Sequence, residues 1–564
     1  MNRINTEAWG VWEQNSSPML LIATLNPAFK ELREYLGSCF ANTPVIFEYD
    51  NAKNYQAKWL FRPEEWRSLG QKMLDMLLCP SYSVAFNTGV ELAEELLLKR
   101  SNEILEISKN YSLEEALNVF EEILQLYYDY YKFGWFTEPI QYHTEHIISN
   151  YITKHYKGNI PVTDAINALL ATEEESFTVD IIKDLFECSK IFDEILVCDE
   201  YLQKLVSTPK KGLEFQNNIV DYVFSSEDKI FDTLLKKLQM HSNKFHWKKN
   251  NYFATSFVSS KDVLFELIEA IHLDNKGITK YYLEKIETIS KSKSEQLKIK
   301  SQVFAELPLY YQTIVSIANS VGSVLIDTRK KNIMITNSAF DALLKIVSQK
   351  TNYSLEDIHL LIPQELRSFV DNPSEYNERF AARRKLFVCL QTDFPIVPEL
   401  IDRIDPTTKE SILSWRVHPT SDPYTAEGID AEKVLEELNL TMNLFDSPSE
   451  QKKHSQHLHG VVAFHDKSEP IIEGIVRVIR NPNNEYLSNG EILVAPNTTP
   501  DYLNAINKST AIITNYGGLA CHAAITAREL KKPCIIDTKF ATDILRTGQK
   551  IRINFNNGNI EIIS

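Results

Sequence analysis

Glycine is scarce in this chain, 17 residues in 564, and neither a GxGxxG nor a GxxxxGK[ST] pattern occurs. The sequence therefore offers no Gly-rich loop of the kind that cradles nucleotide phosphates. Cysteine is also sparse. The seven residues (Cys39, Cys79, Cys188, Cys198, Cys389, Cys521, Cys534) are scattered, odd in number and contain no CxxC pair. That excludes a disulfide framework and points to a reduced, cytoplasmic protein. No basic block is present and the net charge is -16. Non-specific nucleic-acid binding and attachment to an anionic membrane surface are not expected. No apolar run approaches the roughly 20 residues that span a bilayer. The N-terminus, MNRINTEAWGVWEQNSSPMLLIATL, lacks a basic-then-apolar signal pattern.

What is present is enough apolar sequence, 43%, for a packed core. The length suits roughly three or four domains. Residues 1–60 mix short strand-like runs such as MLLIATL and TPVIFEY with turn residues, and read as a mixed α/β segment. Residues 61–393 are helical by period and propensity. RPEEWRSLGQKMLDMLL opens the region, and Ser112 with Glu115 forms a capping-box pattern ahead of a long amphipathic helix. The aromatic run LYYDYYKFGWFTEP (126–139) reads as a two-faced core helix. A turn or short hairpin is expected at Asp327–Asn332, between two apolar runs. His143 and His146 sit three apart, but no third ligand lies nearby, so a surface helix is favoured over a metal pair. Residues 394–458 are rich in Pro, Asp and Thr and end in the polar, His-rich DSPSEQKKHSQHLHG; they read as a linker or hinge. Residues 459–564 are strand-rich and close on a hairpin around Asn557-Gly558.

The chemistry concentrates in AIITNYGGLACHAAITARELKKPCIIDT (511–538). Ala511–Thr514 is an apolar strand, Gly517-Gly518 a turn, Cys521–Leu530 a helix stopped before Pro533, and Cys534–Ile536 a second strand. This order puts His522 in the first turn of a helix, where free N–H groups and the helix dipole favour an anion. An imidazole there can carry a phosphoryl group.

Gly490–Ile562 resembles the mobile, or swivelling, phosphohistidine domain of the phosphoenolpyruvate-utilising enzymes, a family that includes phosphoenolpyruvate synthase, pyruvate phosphate dikinase and rifampin-type phosphotransferases. The matching elements are GEILVAPNTTPDY, the Thr-x-x-Gly-Gly-x-x-x-His-Ala-Ala-x-x-Ala-Arg-Glu signature from Thr514 to Glu529, and ATDILRTGQKIRIN. The resemblance implies a multidomain protein: a mainly α-helical N-terminal three quarters and a C-terminal α/β swivelling domain. It makes His522 the residue that is phosphorylated. It assigns support of the phosphate site to Thr514, Gly517, Gly518 and Cys521, to Thr498 or Thr499, and to Asp501, which caps a helix and fixes its turn. Arg528-Glu529 reads as surface or interdomain pairing. The chain departs from the family pattern at Asn515, Ala520 and Asp537, where an acid, a threonine and a glycine often stand.

The family's nucleotide-binding ATP-grasp domain and phosphoenolpyruvate-binding barrel are not recognisable. The resemblance then implies a phosphotransferase component with no cofactor or metal of its own. A separate ATP-grasp-type kinase subunit, using ATP and Mg2+, would load His522, and the acceptor would be a small molecule on the helical region or a partner. The alternatives are a non-catalytic scaffold with a relic mobile domain, and a complete rifampin-type phosphotransferase with an unrecognised nucleotide site.

Overall fold

The computed structural model describes residues 10–22, 44–50, 54–61, 63–207, 213–273, 277–390, 424–437, 458–465, 469–519 and 521–563. Two sheets flank a helical body. The first has five strands in the order β1-β3-β2-β4-β5: Gly10–Asn15, Asn54–Phe61, Pro44–Asp50, Phe387–Leu390 and Tyr424–Glu427. All its pairings are antiparallel. The N-terminal segment is thus not a unit of its own. Its sheet is completed by two strands that arrive more than three hundred residues later, and Val45, Phe47 and Trp59 join the main core.

This corrects the linker assignment. Within 394–458, residues Tyr424–Glu427 pair with β4, and a helix, Ile429–Glu437, packs behind them through Ala431, Val434 and Leu435. Burial of that apolar face outweighs the Pro- and Asp-rich composition around it. The rest of the assigned linker up to His457 lies outside the described residues, including His454 and His457.

The helical body is built from long amphipathic helices. Those that matter for the site are α1 (Pro63–Leu77), α2 (Pro80–Ile107), α3 (Leu113–His155), α4 (Phe177–Cys198), α5 (Ile278–Ala305) and α6 (Leu325–Thr351). The Ser112–Glu115 capping box starts α3, with both reciprocal bonds made. Tyr127, Tyr130, Tyr131 and Phe133 of the aromatic run are buried in the core. His143 and His146 do not converge: His143 bonds Gln71 (2.8 Å) and His146 bonds Asn150 (2.8 Å).

The turn expected at Asp327–Asn332 is instead continuous helix within α6. Two of its polar residues, Arg329 and Asn332, are buried and donate to neighbours. Arg329 donates to Thr137 Oγ1 (2.9 Å) and pairs with Glu138, and Asn332 donates to the Tyr130 hydroxyl (3.0 Å). A buried polar run with partners in place is compatible with a helix interior, and periodicity alone does not reveal the partners.

The C-terminal module has eight strands in the order β6-β13-β12-β8-β9-β10-β11-β7: Leu458–His459, Asn559–Ile562, Lys550–Asn554, Ile471–Val478, Ile492–Ala495, Ala511–Thr514, Cys534–Ile536 and Val461–Phe464. The central four, β8 to β11, are parallel. The two outermost strands in this order are consecutive in the chain, so the sheet curls back on itself. Gly460 makes this closure fit, since a Cβ there would lie 2.5 Å from Ile535 and 2.6 Å from the Ile536 carbonyl. The helix α7 (His522–Glu529) follows β10. Its Ala523, Ala524 and Ala527 are buried in the main core, and these small side chains let it lie close against the body.

Candidate phosphohistidine site

Parallel strands that end together leave a crevice at their carboxyl ends. Here β9 runs into Pro496–Thr499 and β10 into the Gly517-Gly518 turn, and both deliver their loops to the start of α7. Cys521 is the N-cap, in extended conformation, and makes no side-chain cap bond. His522 is the first helical residue.

His522 is 3% exposed. Its Nδ1 is held by Thr498 Oγ1 at 2.9 Å. Its Nε2 is buried and makes no hydrogen bond among the described residues. Burial, and secondarily the positive charge of Lys330, push its pKa well below the ordinary value. The imidazole is therefore neutral at physiological pH, with one nitrogen fixed and the other uncommitted. Phe177, the first residue of α4, stacks on the ring with centroids 5.7 Å apart and planes 14° apart.

The Gly turn is set by close packing. Gly517 has φ +136, and a Cβ there would lie 2.7 Å from Cys521 Sγ. At Gly518 a Cβ would lie 2.8 Å from Glu145 Oε2 of α3. That carboxylate accepts the Leu519 N–H through both oxygens, at 2.9 and 3.0 Å. Burial raises the pKa of Cys521, which keeps it a neutral thiol.

The two threonines of the Thr-Thr-Pro-Asp turn divide their work. Thr498 holds His522, whereas Thr499 donates to Asp501 (2.5 Å). Asp501 also accepts from Asn251 of the helical body (3.0 Å), and burial lifts its carboxyl to about 6. Thr514 is placed differently from the expectation that it lines the site. Its hydroxyl donates to the Tyr516 carbonyl (3.0 Å) and its own carbonyl accepts from Thr538 (2.9 Å), so it fixes the turn. Arg528 is not on the surface. It is buried, donating to the Leu519 carbonyl at 2.6 Å, so the helix braces its own preceding turn. Glu529 pairs across the interface, accepting from Ser176 Oγ at 2.6 Å.

The departures from the family pattern have local reasons where they are described. Asn515 is buried and exchanges two hydrogen bonds with Thr542, at 2.7 and 3.0 Å. Asp537 has φ +58, a left-handed conformation that glycine adopts freely and Asp tolerates better than most. Ala520 lies outside the described residues.

Sequence reading missed Phe177, Glu145, Lys330, Asn251 and Asp327. All five come from the helical body, up to several hundred residues from His522. The only local signal was a polar run between two apolar ones, Asp327–Asn332, which holds Asp327 and Lys330.

Residues 487–558 match the family model described as "PEP-utilising enzyme, mobile domain". The chain is 40% identical over 92 residues to a probable phosphoenolpyruvate synthase of Methanothermobacter thermautotrophicus, covering 16% of this chain and 14% of that protein. It is 34% identical over 96 residues to rifampicin phosphotransferase of Bacillus cereus, covering 17% and 11%. A longer match, 23% identical over 379 residues, is to the uncharacterized phosphotransferase YvkC of Bacillus subtilis, covering 65% of this chain and 38% of that protein. That match takes in much of the chain beyond the C-terminal module. The chain spans between 11% and 38% of the length of these relatives. Among the described residues, no helix is long and apolar enough to cross a membrane. The C-terminal module that carries His522 is thus a mobile domain of the PEP-utilising enzyme type.

Proposed function

We propose that this protein is a phosphotransferase component in which Nε2 of His522 carries a phosphoryl group. A separate ATP-grasp-type kinase subunit, using ATP and Mg2+, loads it. An acceptor held by the helical body receives it. The observation that carries the reading is the state of the ring: a neutral imidazole at a helix start, its Nδ1 fixed by Thr498 and its Nε2 without a partner. A nucleophile needs one free lone pair in a fixed direction, and a donor or acceptor on the other nitrogen selects the tautomer.

In the docked arrangement Nε2 is sealed, so loading requires the mobile domain to leave the body. The seam is partly apolar, with Leu519, Ala523, Ala524 and Ala527 joining the main core, and partly polar. Lys285 meets Asn507 (2.9 Å), Asn483 donates to the Lys249 carbonyl (3.1 Å), Ser292 donates to the Arg528 carbonyl (3.2 Å), and Lys508 pairs with Glu269. Polar contacts of this kind can be exchanged for water when the domain moves, and interdomain seams within a chain commonly do move. The shortage of glycine and the lack of a phosphate-loop pattern favour a kinase in trans over a nucleotide site on this chain.

The test is incubation with ATP, Mg2+ and the candidate kinase subunit, followed by mapping of acid-labile, base-stable phosphate. Label at His522 that disappears in His522→Ala is expected. Label that persists in that variant removes His522 as the carrier.

A further inference from the structure

One turn along α7 from His522 stands Thr526, at the second open position of the His-Ala-Ala-x-x-Ala-Arg-Glu signature. A threonine inside a helix ordinarily returns its hydroxyl to a carbonyl three or four residues back. Thr88, Thr144, Thr313, Thr336 and Thr351 of this chain all bond the carbonyl four back, at 2.7 to 3.1 Å. Thr144 and Thr336 are as deeply buried as Thr526. Yet Thr526 Oγ1 is buried and makes no hydrogen bond among the described residues. The carbonyl it passes over is that of His522.

His522 Nε2 is in the same condition, buried and without a hydrogen bond among the described residues. Residues four apart are neighbours on a helix surface, and side chains lean toward the helix N-terminus, so Thr526 leans toward His522. Their common face is turned to the start of α4. Phe177 stacks on His522, and Ser176 donates to Glu529, three residues past Thr526. A buried hydroxyl and a buried ring nitrogen, each without a partner, both cost stability. A phosphoryl group supplies what both lack: phosphorus for the nitrogen lone pair and oxygens for the hydroxyl.

We propose that Thr526 is a further catalytic residue of the carrier, its hydroxyl donating to an oxygen of the phosphoryl group on Nε2; the inference rests on His522 being the phosphoryl carrier. In loading, the Nε2 lone pair attacks phosphorus. The N–P bond forms, the bond from phosphorus to the leaving atom breaks, and its electron pair goes with that atom. The ring proton stays on Nδ1, toward Thr498, and the hydroxyl proton stays on Thr526. No bond to Thr526 is made or broken. Its hydroxyl meets the charge on the phosphoryl oxygens, and hydrogen bonds to a charged acceptor are the strong ones. Thr526 shares a helix with His522, so it keeps its place beside the ring whether the domain is docked or away from the body. The pair therefore needs no residue of the helical body.

The experiment uses the full chain, Thr526→Val and Thr526→Ser, each loaded chemically with potassium phosphoramidate. Mass spectrometry maps and times the label at His522, and 31P NMR follows the phosphohistidine signal across pH. A hydroxyl bonded to the phosphoryl oxygens favours the dianion. The pKa of the phosphoryl group should therefore rise by about one pH unit in Thr526→Val and return in Thr526→Ser. Loading should slow about tenfold in Thr526→Val and recover in Thr526→Ser. Unloaded Thr526→Val should be no less stable to denaturant than the parent, because it loses a buried hydroxyl without a partner. A destabilised unloaded Thr526→Val means that the hydroxyl already serves a buried water or a backbone group, and overturns the proposal. Label on His522 with unchanged pKa and loading rate in Thr526→Val overturns it as well, while leaving the carrier intact. Failure to load His522, or equal loading of His522→Ala, overturns the carrier reading itself.

Discussion

The two halves of the His522 site are built under different rules. The mobile-domain half is local: Thr498, the Gly turn, Cys521 and His522 fall within 25 residues and are set by strand ends and one helix start. The body half is assembled from three helices far apart in sequence, α3 with Glu145, α4 with Phe177 and α6 with Asp327 and Lys330. The first half supplies the imidazole, held at one nitrogen. The second supplies what surrounds it: a carboxylate on the turn, a ring on the imidazole and a cation nearby. A carrier that works alone needs only the first half, and a carrier that delivers to a fixed acceptor needs both.

The largest test of this contrast is Phe177→Ala. The side chain is 5% exposed and touches both Trp247 and His522. Truncating a buried Phe costs about 3–5 kcal/mol. Denaturant unfolding should show that loss in the transition of the helical body. If the cost appears instead in a single transition shared by body and mobile domain, the two halves are one cooperative unit and the division drawn above fails.

Thr498→Val acts on the other half. It keeps the shape and removes the hydrogen bond that Nδ1 makes among the described residues. A net hydrogen bond is worth about 1 kcal/mol, and 1.4 kcal/mol is tenfold. Loading of His522 by the kinase should fall about fivefold, with little change in global stability. Thr514→Val is the internal control: its hydroxyl serves the Tyr516 carbonyl, so any loss of loading there reports the shape of the turn.

Legibility followed the same division. The strand–turn–helix–strand order, the helix start at His522 and the closing hairpin were readable because each rests on neighbours in sequence. The long helices were readable by period. Asp327–Asn332 was misread as a turn because its polar residues look solvated until Phe177, Thr137 and Glu138 are placed beside them. Strand β4 was read within the helical region and β5 as linker, because β4 pairs with a strand in the first sixty residues and β5 pairs with β4. Arg528-Glu529 was read as surface or interdomain pairing; Glu529 does pair across the interface, whereas Arg528 is buried and bonds a carbonyl of the preceding turn. In each case a tertiary partner, invisible to periodicity, decided the outcome.

Glu145→Gln probes the seam between the halves. The carboxylate accepts the Leu519 N–H through both oxygens, and a charged acceptor strengthens such a bond. The amide keeps one acceptor and loses the charge. Undocking should rise several-fold, read as faster carbethoxylation of His522 by diethyl pyrocarbonate. An unchanged rate at His522 shows that the seam is held elsewhere, at Asp501–Asn251 or Lys508–Glu269.

The smallest expected effect is the pH dependence of docking, since Ser176 can bond Glu529 in either protonation state. In the docked state burial lifts Glu529 from 4.5 to about 7; Asp327 across the seam pushes the same way, and Lys293 opposes. An acid whose docked pKa is raised binds its proton more tightly when docked. Its contribution to docking is complete below about 4.5 and is lost as pH rises toward 7, beyond which no further change follows. Protection of the α7 amides from hydrogen exchange, corrected for intrinsic rates, should therefore decline between pH 5 and 7 and level off at pH 8. Glu529→Gln should flatten most of that decline, with the remainder belonging to Asp327, which burial lifts to about 6. A decline that survives intact in Glu529→Gln assigns the titration to Asp327 or to Asp501, lifted to about 6 in its contact with Asn251. The proton-sensitive part of the seam would then lie outside α7.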